Sequence, residues 1–288
     1  MNIKELFNKN YFDHDYHLSS TDRFLHSFLC THLSSMHRYI DTVSIIIQGP
    51  LNERSINTIP EYLKYGEVVV SCWENNNLSS LEKYKDKIKI VINKYSDLPK
   101  FATRPGSQAP WIFQNYTTLN GIKAASSYFC IKVRSDESFP VLDPLINKLK
   151  ENRDAKHPET NVYQDYKIVT SNIYFRYDWH EKFHPSDHII AGTKSRMLES
   201  FKLSNSYCRN NLTKFPEQLI CKAIINSYYD PINKKKDCAI ESQSKELMKK
   251  HFDIIRITNL PRHIWTSSYR KYRALYSEED WCHCIHSL

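Results

Sequence analysis

The chain has 288 residues, 41% hydrophobic and 13% aromatic, enough to bury a sizeable core, so a purely disordered chain is excluded. Its formal charge of +8 favours polyanions (sugar nucleotides, lipid phosphates, anionic glycans, nucleic acid) without choosing among them, and solvated basic faces explain it equally well. No apolar run approaches the roughly 20 residues of a bilayer-spanning helix, and Met1–Asn10 lacks the apolar core of a signal peptide. The eight scattered cysteines read as buried free thiols of a reducing compartment, so the expected location is cytoplasmic.

Residues 1–42 form a polar, aromatic N-terminal appendage with one expected helix over about 21–38, where Phe24, Leu25, Phe28, Leu29 and Leu33 recur at helical spacing. The pattern then changes. Val43 to Gln48 is a continuous β-branched run, expected of a strand covered on both faces. A helix over 54–64, a strand over Val68 to Cys72, a short helix over 79–87 and a strand over Ile88 to Ile92 follow. A polar loop (93–108) leads to an amphipathic helix over 111–126 and a strand over Tyr128 to Val133. Further on, 152–164 reads as a surface loop, Tyr166 to Tyr177 and Asp187 to Ala191 as strands, 193–201 as a helix, and 215–228 as another. Residues 231–250 are Lys-rich, Ile254 to Ile257 is a short strand, and 261–288 is a basic aromatic tail. Such alternation predicts an α/β domain over 43–260, a Rossmann-like, mostly parallel sheet flanked by helices.

Ligands of such sheets sit at the carboxyl ends of the strands, so the residues closing each strand are the candidates. Gln48-Gly49-Pro50-Leu51 closes the first: a glycine there lets backbone approach a base or ribose, although an ordinary strand-to-helix turn looks the same. It is neither a dinucleotide fingerprint nor a P-loop. Trp73 and Glu74 close the second, suited to stack on a base and to accept from it, or simply a core Trp beside a solvated Glu.

Lys132-Val133-Arg134-Ser135-Asp136-Glu137 closes the strand after the long helix. Carboxylates there are suited to hold Mg²⁺ or Mn²⁺ against a diphosphate, the ion acting as a Lewis acid when the leaving group departs. Arg134 or Lys132 would assist, with strand alternation expected to point only one of them at the site.

Glu217 stands in the first turn of a helix. It is either a base for an acceptor hydroxyl or a routine helix-start residue. Asp187 with His188, and His263, are further candidates, the histidines for metal or phosphate. His180-Glu181-Lys182-Phe183-His184 matches the zinc-protease signature H-E-x-x-H. Pro185 directly after it disfavours the helix that the signature needs, so a zinc protease is not expected. Cys282-His283-Cys284-Ile285-His286 fits no structural zinc spacing.

Val43 to Leu51, Val70 to Glu74, Gln114 to Ala124 and Ile131 to Asp136, followed by Pro185-Ser186-Asp187, Gly192 and Pro216-Glu217-Gln218, together resemble the WavE-like lipopolysaccharide-synthesis family, over about 43–228. The resemblance implies a GT-A-type fold and transfer of a sugar from a nucleotide-diphosphate sugar to a glycan, polysaccharide or lipid-linked acceptor. It gives Asp136 the place of the last acid of a D-x-D motif, with Arg134 where the first acid would stand. It also implies donor-binding roles for Gln114 and for an arginine, Arg104 being the candidate because Phe113 precedes Gln114.

The expected activity is therefore a glycosyltransferase. Asp136 and His263 would hold Mn²⁺ or Mg²⁺. Gln48, Gly49, Pro50, Leu51, Trp73, Glu74, Arg104, Gln114, Arg134 and Ser135 would bind the donor, and Glu217 or Asp187 would serve the acceptor. The alternatives are a nucleotidyltransferase, which would want a better basic loop than Asn52-Glu53-Arg54, and a non-enzymatic binder of nucleic acid or membrane. Only the tail around Trp265, Tyr269, Arg270, Lys271, Tyr272 and Arg273 suits the latter, through contact with an anionic membrane; no nucleic acid is expected.

Overall fold

Val43–Gln48 forms strand β1, and each of its six side chains is buried, as a strand covered on both faces requires. It belongs to a computed structural model that describes residues 39, 41–100, 102, 110–155, 167–173, 183–210, 216–227, 237–260 and 263–264. The chain divides into Met1–Ile40 and Asp41–Leu288. The expected helix over 21–38, Arg104, Tyr174 to Tyr177, Phe215 and the tail from 265 onward lie outside the described residues.

After β1 come short helices α1 (Glu53–Asn57) and α2 (Ile59–Leu63), β2 (Glu67–Trp73), a 3₁₀ turn (Ser79–Tyr84) and β3 (Ile88–Asn93). Helix α3 (Pro110–Ala124) leads to β4 (Phe129–Arg134), β5 (Glu137–Ser138), α4 (Asp143–Asp154), β6 (Ile168–Ser171) and β7 (Ile189–Thr193). Helices α5 (Lys194–Asn210), α6 (Pro216–Asn226) and α7 (Asp237–His251) precede β8 (Phe252–Ile255) and β9 (His263–Ile264). The expected helix over 54–64 is two helices, because Asn52 caps the first and Pro60 opens the second. Asn52 Oδ1 accepts from Ser55 N–H at 3.0 Å while Ser55 Oγ accepts from Asn52 N–H at 3.0 Å, a reciprocal cap.

The sheet runs β3-β2-β1-β4-β7-β6-β8. Pairings β1/β2, β1/β4, β2/β3 and β6/β8 are parallel, whereas β7 is antiparallel to both β4 and β6. The sheet is thus mostly parallel but mixed, a departure from uniform alternation. A parallel neighbour needs a crossover, usually helical, and no helix separates β6 from β7 among the described residues.

Alternation along each strand feeds two cores. On one face Val43, Ile45, Ile47, Val68, Val70, Phe129, Ile131 and Val133 pack against α1, α2 and α4. On the other, Ile46, Val69, Cys130 and Ile190 meet α3, α5, α6 and α7. Cys72, Cys130 and Cys221 are buried free thiols, as expected. Among the described residues, no helix is long and apolar enough to cross a membrane.

Tyr62 on α2 is fully buried, and its phenol oxygen accepts from Phe139 N–H at 3.0 Å, fastening the chain just beyond β5 to the core. Burial pushes the phenol up to about 12, against the pull of the Phe139 amide. Tyr62→Phe strands that amide without its acceptor and is expected to lower stability by about 1–3 kcal/mol. Urea unfolding measures the loss; a midpoint equal to wild type would show the bond to be unimportant.

Candidate functional site

From β1 the chain moves outward to β2 and β3, then returns to place β4 on the other side of β1. The order therefore reverses between β1 and β4, and a crevice outside the strand carboxyl ends is expected at such a reversal. The tips of β1 and β4 are in register there, Gln48 beside Arg134.

Hydrogen bonds stitch the tips together. Ser135 N–H donates to Gln48 carbonyl at 2.9 Å, and Gly49 N–H donates to Ser71 carbonyl at 3.1 Å. Gly49 has φ +113, a conformation open to glycine, and a Cβ there would lie 2.9 Å from Ser135 Oγ. Asn76, which sequence reasoning missed, joins β1 to β2: its Oδ1 accepts from Trp73 N–H (3.0 Å) and Leu51 N–H (3.4 Å). Pro50 is exposed beside them.

The side chains expected on a nucleoside divide. Gln48 is buried, its Oε1 accepting from Thr117 Oγ on α3 at 2.8 Å. Trp73 is 3% exposed and packs on the protein's own rings, Tyr95 at 4.6 Å, Phe113 at 5.4 Å and Tyr116 at 6.2 Å. Glu74 is exposed, with Oε1 accepting from Tyr95 N–H at 2.9 Å.

The centre is Arg134. Its Nε and Nη2 fork onto both oxygens of Asp136 at 2.9 and 2.8 Å. Nε is 3.8 Å from Glu137 Oε1, and Nη1 is 3.7 Å from Asp187 Oδ2. Gln114 Nε2 on α3 donates to the same Asp187 oxygen at 2.6 Å, while His188 Nδ1 pairs with Glu137. Lys132 Nζ donates to the Asp187 backbone carbonyl.

Lys132 and Arg134 are two residues apart and share one face of β4, which corrects the expectation that only one points to the site. What separates them is depth. Lys132 is wholly buried, and Arg134 keeps 31% of its side-chain surface.

The charges follow from this packing. Burial lowers the Lys132 ammonium to about 8, with the Asp187 carboxylate pulling it back. Burial also works against ionised Asp187, but Arg134, His188, Lys132 and the Gln114 amide outweigh it and hold its carboxyl well below the usual range. Asp136 is likewise lowered, burial being overcome by the Arg134 fork. Arg134 is raised, since its carboxylate neighbours outweigh its burial.

A divalent ion fits this donor set poorly. Both Asp136 oxygens are engaged by a guanidinium, and among the described residues no three His, Cys, Asp or Glu side chains could hold a metal. Strand β9 pairs with β5, bringing His263 backbone beside Ser138; the His263 side chain lies outside the described residues.

Glu217 opens α6, its Oε2 lying 3.5 Å from His184 Nε2. His184 is not helical and Phe183 has φ +59, so the H-E-x-x-H run does not continue as a helix through its second histidine. The link from Asp187 to the site had no local signal. It depends on β7 lying antiparallel to β4, which sets Ile189 opposite Val133.

No curated protein matches the chain. The WavE lipopolysaccharide synthesis family does match, over residues 43–261, a span that includes all seven strands of the main sheet and the Arg134 cluster. The chain therefore belongs to the WavE lipopolysaccharide synthesis family.

Proposed function

We propose that the chain is a glycosyltransferase of GT-A type that transfers a sugar from a nucleotide-diphosphate sugar to a saccharide acceptor in lipopolysaccharide assembly. Family membership supports a biosynthetic role. The observation that carries the reading further is the Arg134–Asp136–Asp187 cluster at the carboxyl edge between β1 and β4. A diphosphate leaving group needs fixed positive charge beside it, held by a rigid scaffold. The backbone at Gly49 lies against Ser135 at the base of this cluster, and the turn from Gly49 to Leu51 would take the nucleoside.

In the reaction the bond from the anomeric carbon to the diphosphate oxygen breaks, and its electron pair stays on that oxygen. An acceptor hydroxyl oxygen bonds to the same carbon, and its proton passes to a base. Glu217 suits that role, as its carboxylate is partly buried and held beside His184.

The test is a panel of nucleotide sugars assayed by thermal melting and by release of nucleoside diphosphate. A donor at a hundred times its Kd adds about 2.7 kcal/mol, several degrees of melting temperature. If no panel member shifts the melt or turns over, the proposal is wrong. Glu217→Gln is expected to lower kcat by at least about 100-fold while leaving the donor-induced melting shift intact. Turnover at the wild-type rate would remove Glu217 from the mechanism.

A further inference from the structure

We propose that the Arg134 guanidinium itself neutralises the departing diphosphate, so that donor binding and transfer need no divalent cation. This rests on the glycosyltransferase reading above and goes beyond it. Four of the carboxylate oxygens a metal would need are already engaged. Asp136 gives both oxygens to Arg134 at 2.9 and 2.8 Å, Asp187 Oδ2 accepts from Gln114 at 2.6 Å, and Glu137 Oε1 holds His188. The guanidinium lies among these three acids, within 4 Å of each, in the place an ion would take.

Arg134 is also built to present a donor edge outward. The Asp136 fork fixes the Nε–Nη2 edge and with it the plane of the group. Nη1, 3.7 Å from Asp187 Oδ2, is too far to hydrogen-bond that oxygen, so its N–H groups, held in that fixed plane, can meet a phosphate that enters it. Of the two cations on this face of β4, only Arg134 retains exposed surface; Lys132 is buried and spends its ammonium on the Asp187 carbonyl. Lys132 is therefore a positioning residue. As the glycosidic bond breaks and charge grows on the leaving oxygen, the Arg134 N–H groups meet it with a charge that is ionised at every working pH and two-pronged.

The experiment uses the full chain and nucleoside diphosphates (UDP, GDP, ADP and dTDP), with melting shifts and titration calorimetry in EDTA and in Mn²⁺ or Mg²⁺. The expected result is one preferred diphosphate whose Kd changes less than threefold between the buffers, with transfer retained in EDTA. Arg134→Lys should weaken it at least tenfold in both buffers. Arg134→Ala should recover part of the lost rate with added guanidinium. Binding or transfer that appears only with the metal overturns the inference and leaves the glycosyltransferase reading standing, and this arm needs no variant. Wild-type Kd in EDTA for a folded Arg134→Lys also overturns it. If no diphosphate binds in either buffer, both readings fall together.

Discussion

Asp187→Ala is expected to destabilise the protein by on the order of 3–5 kcal/mol, the loss that follows when one partner of a buried charge cluster is removed. The Asp187 side chain is only 4% exposed, so solvent screens little of its interaction with Arg134. Its removal leaves Arg134 facing fewer carboxylates and the Gln114 amide without its acceptor. Asp187→Asn keeps the shape and removes only the charge, so it should lie between wild type and the alanine variant.

The pH dependence separates charge from packing. Asp187 is depressed in the folded protein, so its ionised form stabilises the fold above the unfolded value near pH 3.9, and this contribution fades as pH falls through the lower folded value. Wild type and Asp187→Asn should therefore differ most above about pH 4 and converge in stronger acid. Melting from pH 7 to 3 measures the gap. A constant gap would assign the effect to shape alone, and a loss under about 1 kcal/mol at pH 7 would show the cluster to be of little structural consequence.

Much of the sheet was readable because its inner strands are covered on both faces and show as short, largely apolar runs. The runs Val43 to Gln48, Val68 to Cys72 and Tyr128 to Val133 match β1, β2 and β4 within a residue or two. Helix α4 went unread. Its buried positions are Leu145, Leu149 and Asn152, a narrow stripe ending in a polar residue, and its last three residues fall in the charged 152–164 stretch that reads as a surface loop. Helix α7 was hidden the same way by its lysines.

At the site, residues within one strand tip were legible, and links between distant segments were not. Arg134, Asp136 and Glu137 announce themselves by position. Gln114 meets Asp187 across 73 residues, and only the antiparallel seating of β7 makes that contact. Trp73 shows the converse limit: an aromatic at a strand end reads as a ligand platform until neighbouring rings, here Tyr95, Phe113 and Tyr116, are seen to cover it.

Gly121→Ala is expected to lower stability by about 2 kcal/mol and to slow transfer, although alanine is the better helix former. The propensity gain is about 1 kcal/mol. Against it, a Cβ at position 121 would lie 2.4 Å from Ile46 Cγ2 and 3.2 Å from Ser71 Cβ. Both are in the buried sheet, and the β-branched Ile46 has little rotamer freedom with which to yield. Overpacking of this kind costs up to about 3 kcal/mol, so it wins. Relief must come from α3 lifting off the sheet, and α3 carries the two side chains that steady the site, Gln114 on Asp187 and Thr117 on Gln48. Stability and transfer should therefore fall together. Ile46→Ala removes the offending methyl, so in the double variant the two losses should sum to less than their separate values by at least about 1 kcal/mol. Urea unfolding of the four proteins gives that coupling. Strict additivity would mean that α3 is not held off the sheet by this contact, and unchanged transfer in Gly121→Ala would sever the link from helix seating to site geometry.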